Sequence, residues 1–441
     1  MTPAVESRAR FSLAQLGPGL LMAGAAIGVS HLVQSTRAGA MYGWGALIFV
    51  LAANLMKYPF YEYGHRYAAA SGQNLIQAYR QQGKRYFIPF LLISVISAIG
   101  SFAVDAFVAA MLLQYLWLPQ VSETVLAVGV LLFCWGLIAV GRYRLFEQVT
   151  KWCVIFLSVA TLAAVTMAVL TAIAPTLSIP ALSAPALAQD TSTPLEVVGT
   201  TNFSHASIFS WSAVPFLIAF MGWMPGGLEL SIWQSLWVQA DTQDRGLPTS
   251  LAEASVDFNV GYVLTVVLAC LFLVLGTLTL PAQGLAAEPA AFAGQLVGMY
   301  TSYIGQWAEP VIGLCAIAAI FSTTFTVVDA FPRTLEAGLY ELFPQTKSTA
   351  FPMMRQVIAI ALIILAALLL SVFTAGFEPL INTITIIAFV AAPFYAWLNM
   401  RSIRTLADSA QPAPWLSRLA TVGFLYLAGF SVLFVGLQLA G

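Results

Sequence analysis

The sequence predicts an all-α polytopic membrane protein, and three observations carry that prediction. Of the 441 residues, 60% are hydrophobic and only 8% are charged, where a soluble domain carries about 25% charge. The apolar residues are gathered into long runs, and a hydrocarbon core ~30 Å thick needs ~20 apolar helical residues to cross it. Lys and Arg are distributed among the connecting segments in an alternation that one topology explains.

Taken in order, the runs define eleven spans: 17–40, 45–68, 87–116, 122–141, 147–173, 207–238, 254–280, 306–330, 355–374, 379–399 and 416–439. The first follows basic residues and a short apolar run, as a signal peptide would, but it fits the topology as a membrane helix. Of the 18 Lys and Arg residues, all but Lys57 and Arg37 fall in segments on one side. That side is cytoplasmic, because cytoplasmic loops carry the positive excess. The N-terminus is therefore expected in the cytoplasm and the C-terminus outside, in the cell (inner) membrane. The segments 174–206 and 281–305 contain no Lys or Arg and are read as outer loops; Asn202-Phe203-Ser204 in the first matches a glycosylation sequon.

Composition also excludes classes. A net charge of -1 leaves no basic patch for nucleic acid. Cys134, Cys153, Cys270 and Cys315 lie inside apolar runs without C-x-x-C spacing, which reads as small buried hydrophobes and not as a disulfide framework or zinc site. No paired carboxylates, nucleophile–base set or cofactor motif marks an enzyme; no bound cofactor is expected.

Spans one and six are interrupted. Span one reads GPGLLMAGAAIGVSHLVQSTRAGA, with Gly28, Ser30 and His31 breaking the apolar run. Span six carries Gly222, Pro225, Gly226 and Gly227 at its middle. Proline removes a backbone donor and clashes with the preceding turn, and glycine offers no side chain to resist unwinding. Each span opens a set of five helices, and paired interruptions at corresponding positions point to a transport site; the plainer alternative is two kinked helices packed through small residues. The chain reads as one transmembrane domain over 1–441: a first five-helix repeat at 17–173, a second at 207–399, and an additional helix at 416–439.

The chain resembles the Nramp family of metal transporters at GPGLLM and RAGA of span one, Met224-Pro225, GRYRLFE at 141–147 and STTFTVVDAFPR at 322–333. The resemblance implies a LeuT-like architecture: two inverted five-helix repeats plus an eleventh helix, with substrate held between the two breaks. It also exposes departures. The family's Asp-Pro-Gly-Asn at the first break aligns with Gly28, Val29, Ser30 and His31. On span six Met224 keeps the family's methionine sulfur and Met221 takes its carbonyl position. Gly226 and Gly227 replace the usual His-Asn, and a glutamine of helix ten falls at Ala391.

With the central carboxylate gone, a hard divalent ion lacks its usual oxygen ligands. Helix N-termini offer free N–H groups and positive partial charge to an anion. The expected substrate is therefore a small inorganic anion, bicarbonate first, as in a branch of the Nramp family lacking the metal motif. The expected binding residues are Gly28, Ser30, His31, Met221, Met224, Gly226 and Gly227, with no metal site. Asp105 and Glu229 lie deep enough to bind a coupling Na⁺ or H⁺. Rival readings are an Nramp-type divalent-metal transporter with an altered site, and a channel, which would need a continuous polar pore. Lys57, Glu62, Asp257 and Asp329 are read as interfacial, with snorkelling or pairing near the inner ends. His65 is placed at the cytoplasmic surface and His205 in the outer loop, neither with a role. The sequence does not reveal the oligomeric state.

Overall fold

The computed structural model describes residues 17–140, 143–173, 205–280, 285–344, 353–373 and 376–440. The sequon at Asn202, most of the loop 174–206 and the basic residues Arg8, Arg10, Arg142 and Lys347 lie outside them. No strand occurs among the described residues.

Span one is built from α1 (Pro18–Ala26), a wider π-type coil over Val29–Ser35 and α2 (Thr36–Tyr42). Span two is α3 (Ala46–Ser71), followed by the short α4 (Leu75–Gln81). Spans three to five are α5 (Lys84–Leu116), α6 (Glu123–Ala139) and α7 (Tyr143–Ile173). Span six is divided into α8 (Val214–Gly222) and α9 (Leu230–Arg245), and span seven is α10 (Leu251–Thr279). The segment read as an outer loop contains a helix, α11 (Pro289–Ile304). Spans eight to eleven are α12 (Glu309–Leu342), α13 (Met354–Val372), α14 (Phe377–Ile403) and α15 (Pro414–Ala440).

Seven helical runs among the described residues are long and apolar enough to cross a membrane, one of them the continuous stretch 29–71 that joins the second part of span one to span two. Three further apolar helices, at 123–139, 155–171 and 211–222, are shorter. The burial pattern is that of a protein dissolved in hydrocarbon. Ile48, Leu51 and Leu55 of α3 are exposed along one face while Val50, Ala53 and Phe60 are buried. Outward apolar faces are stable only where the surrounding medium is lipid, and every backbone group is then satisfied within its helix.

Ends are set by local chemistry. Asn74 with Gln77 and Ser250 with Glu253 form capping boxes at the starts of α4 and α10. Glu288 accepts from the Ala290 and Ala291 amides, and Pro289 stands at the first helical position of α11. Gly72 closes α3 in the left-handed conformation, which costs glycine little.

The core that positions the site is a seam between spans one and seven. A Cβ on Gly19 would run into the Asp257 backbone, one on Gly39 into the Leu273 carbonyl, and one on Gly276 into the Thr36 carbonyl. Without a hydrophobic drive between helices, such close backbone approach is what holds them. Around this seam α5 packs along α12, α3 along α9, and α8 along α14.

Candidate functional site

The helices of spans one and six are both interrupted within their apolar runs. In span one α1 ends at Ala26, a π-type coil begins at Val29 and α-helical winding resumes at Thr36. In span six α8 ends at Gly222 and α9 starts at Leu230, and the Met224–Pro225 peptide is cis. A cavity of about 40 Å³ opens between the two interruptions. Ala26, Val29 and Ser30 line it from span one, and Trp223, Pro225, Gly226, Gly227, Glu229 and Trp233 from span six. Ser101 and Asp105 of α5 and Thr323 and Val327 of α12 close its other walls.

Of the expected site residues, Ser30, Gly226, Gly227, Asp105 and Glu229 meet at this cavity, and four others do not line it. Gly28 sits against the side chain of Thr323, which a Cβ would strike. His31 is fully buried. Its Nε2 lies 2.9 Å from the Thr265 carbonyl and its Nδ1 2.8 Å from Ser30 Oγ. A carbonyl only accepts, so Nε2 carries the proton in that bond. The imidazole thus ties span one to span seven. Met221 turns its sulfur to span eleven, where the Tyr426 hydroxyl donates to it at 2.7 Å. Met224 is fully buried.

Three readings from the sequence are corrected. Lys57 does not snorkel: it is fully buried, and its ammonium donates to the carbonyls of Met221, Gly222 and Gly226 at 2.7, 2.8 and 3.1 Å. Met221 and Gly222 stand in the last turn of α8, where helix carbonyls lack intrahelical partners, and Gly226 lies in the unwound link before α9. Tyr61, one turn further along α3, donates to the carbonyls of Gly226 and Gly227. His65 is buried and not at the surface, its ring tilted against Phe258 at 4.6 Å between centroids and its Nε2 3.2 Å from Ser255 Oγ. Asp257 is paired, but with backbone: its carboxylate accepts from the amides of Gly17 at 3.1 Å and Gly19 at 2.6 Å, at the start of α1. Glu62 and Asp329 hold Arg66 and Arg333 in the pairs expected of them.

The electrostatics follow from these placements. Two carboxyl groups, Asp105 and Glu229, line the cavity, and no Lys, Arg or His among the described residues does. Glu229 is itself the N-cap of α9. The N-terminus that would have faced an anion therefore already has a carboxylate at it. A carboxylate in the cavity wall opposes an anion and favours a cation whenever it is ionised. A helix N-terminus returns at most ~2 kcal/mol.

Two closures bracket the cavity. Arg37 of α2, buried, pairs with Glu378 at the start of α14 and donates to Gln34 Oε1 at 2.9 Å. On the other side the Asp257 carboxylate holds the beginning of α1. A cavity between two broken helices is the arrangement found in the LeuT class of membrane fold, and the solved structures agree. A manganese transporter from Eremococcus coleocola superposes with a TM-score of 0.70 at 14% identity, over 100% of this chain and 90% of that one. MhsT in complex with L-phenylalanine gives 0.58 at 14% identity, over 96% and 98%. Mhp1, a nucleobase-cation-symport-1 family transporter, gives 0.53 at 13%, over 96% and 93%. The chain has the LeuT-like fold, two inverted five-helix repeats and an eleventh helix.

No family model matches the chain. It belongs to the same family as the uncharacterized protein PM0681 of Pasteurella multocida (strain Pm70), with which it is 32% identical over 431 residues, covering 96% of this chain and 92% of that protein.

Proposed function

We propose that this chain is a multi-pass secondary transporter of the inner membrane, N-terminus cytoplasmic, whose central cavity binds a small cation. Asp105 and Glu229 are its charged ligands, and Ser30 and Thr323 contribute neutral oxygens. The observation that carries this reading is the pair of carboxyl groups lining a cavity that lacks a basic side chain. Bicarbonate, expected from the sequence, loses its support here: the imidazole meant to donate to it is committed to Thr265 and Ser30. An anion entering this site would have to be accompanied by protons on the carboxylates. A divalent ion is less well served than a monovalent ion or a proton, because no group of three or more His, Cys, Asp or Glu side chains gathers among the described residues, and hard divalent ions take six or more oxygen ligands.

The test is uptake into proteoliposomes holding purified protein, comparing radiolabelled sodium, Mn²⁺ and bicarbonate, with an internal pH dye reporting protons. Saturable Na⁺ or H⁺ movement is expected, reduced at least roughly 10-fold by Asp105→Asn or Glu229→Gln, the loss of ~1.4 kcal/mol of binding. Bicarbonate uptake indifferent to Na⁺ and pH gradients, and unchanged in both variants, would overturn the proposal.

A further inference from the structure

The interruption of span six contains a second cation site, and the chain fills it from within. Three carbonyl oxygens, of Met221, Gly222 and Gly226, converge on one point at 2.7, 2.8 and 3.1 Å. What stands there is Nζ of Lys57, a side chain with no exposed surface. An ammonium has three N–H donors and no acceptor, so three carbonyls use it completely. A neutral amine would turn a lone pair towards one of them. The positive charge also sits at the C-terminal end of α8, where the macrodipole favours a cation.

We infer that the break of span six is a monovalent-cation site of ammonium type, occupied in this protein by the tethered ammonium of Lys57. Lys57 is thereby a positioning residue. It holds the unwound segment in which Gly226, Gly227 and Glu229 face the central cavity, and its ammonium stands on the Gly226 carbonyl, three residues before Glu229. Any monovalent cation that moves through the protein binds elsewhere while Lys57 Nζ occupies this place.

The inference stands apart from the transport reading, since its test reads thermal stability. Wild type, Lys57→Ala and Lys57→Met are purified in nanodiscs and melted in choline, sodium, potassium, ammonium and methylammonium chloride at equal ionic strength. Lys57→Ala leaves both the space and the carbonyls. Its Tm is expected to rise saturably, by roughly 2 °C or more, with ammonium or methylammonium over choline. Wild type and Lys57→Met, whose sites are filled, show no such rise. No ammonium-specific rise in a folded Lys57→Ala overturns the inference. Should Lys57→Ala fail to fold in every salt, the cycle Lys57→Met, Glu229→Gln and the double variant decides. Recovery of Tm in the double variant relative to Lys57→Met supports a charge role. Additive losses, or a Lys57→Met that melts with the wild type, refute it.

Discussion

A histidine serves a cavity only with a ring nitrogen that nothing else holds. Both nitrogens of His31 are held, one by the Thr265 carbonyl and one by Ser30. Its removal is therefore a matter of stability first. His31→Ala is expected to cost about 2–4 kcal/mol, from a carbonyl left without its bond and a void left by the ring. Chemical denaturation in detergent measures it. Cation affinity of the surviving folded fraction should stay within about threefold of wild type, since the ring does not line the cavity. Asp105 and Glu229 were legible in the sequence because an ionisable group deep in a membrane span is expensive and needs a reason to be there. Lys57 was not legible. Its partners are backbone carbonyls 164 to 169 residues away, and no property of its own span shows which face of α3 meets them.

At the scale of elements, the two interruptions are written in residue chemistry, and the structure breaks both helices where glycine and proline cluster. The helices α4 and α11 were passed over for different reasons. The first has only seven residues, too few for a periodic pattern. The second does carry a start signal, Glu288 before Pro289, but in a segment read as loop for want of charge. The close contacts of glycine with neighbouring backbone are also invisible in one sequence, because the partner strand of contact lies on another helix. Gly222, at the end of α8, shows what they control. A Cβ there would strike the Thr385 carbonyl of α14, and backbone cannot swing aside as a side chain can. Gly222→Ala is expected to destabilise by about 1–3 kcal/mol, the usual cost of overpacking. It should also weaken ion binding, because α8 can only relieve the clash by moving the carbonyls that Lys57 gathers. Tm and calorimetric titration of the same preparation check both outcomes.

At the scale of the molecule, a transporter with a central site must expose that site to one side at a time, so each closure has to be separable from the other. The two closures here differ in kind. One is an ion pair between α2 and α14, in which Arg37 is buried while Glu378 is half exposed. Its guanidinium also donates to Gln34 at 2.9 Å and stands 5.6 Å from the centre of the Phe216 ring on α8. Span one, span six and span ten thus meet at one arginine. The other is a carboxylate holding two backbone amides at the start of α1 at 3.1 and 2.6 Å, so it constrains only the first part of span one. Removing one partner from either shifts the balance towards opening on that side alone. With an effect of ~1–2 kcal/mol, the population of the opened form changes roughly 5–30-fold. Ser30, on the cavity wall, reports this as Ser30→Cys in a background without the native cysteines. Added to it, Glu378→Gln is expected to speed labelling by an impermeant thiol reagent from the side of the loop 174–206. Asp257→Ala is expected to speed it from the opposite side. If each variant accelerates labelling equally from both sides, the closures are not independent, and the cavity opens as a pore instead of alternating.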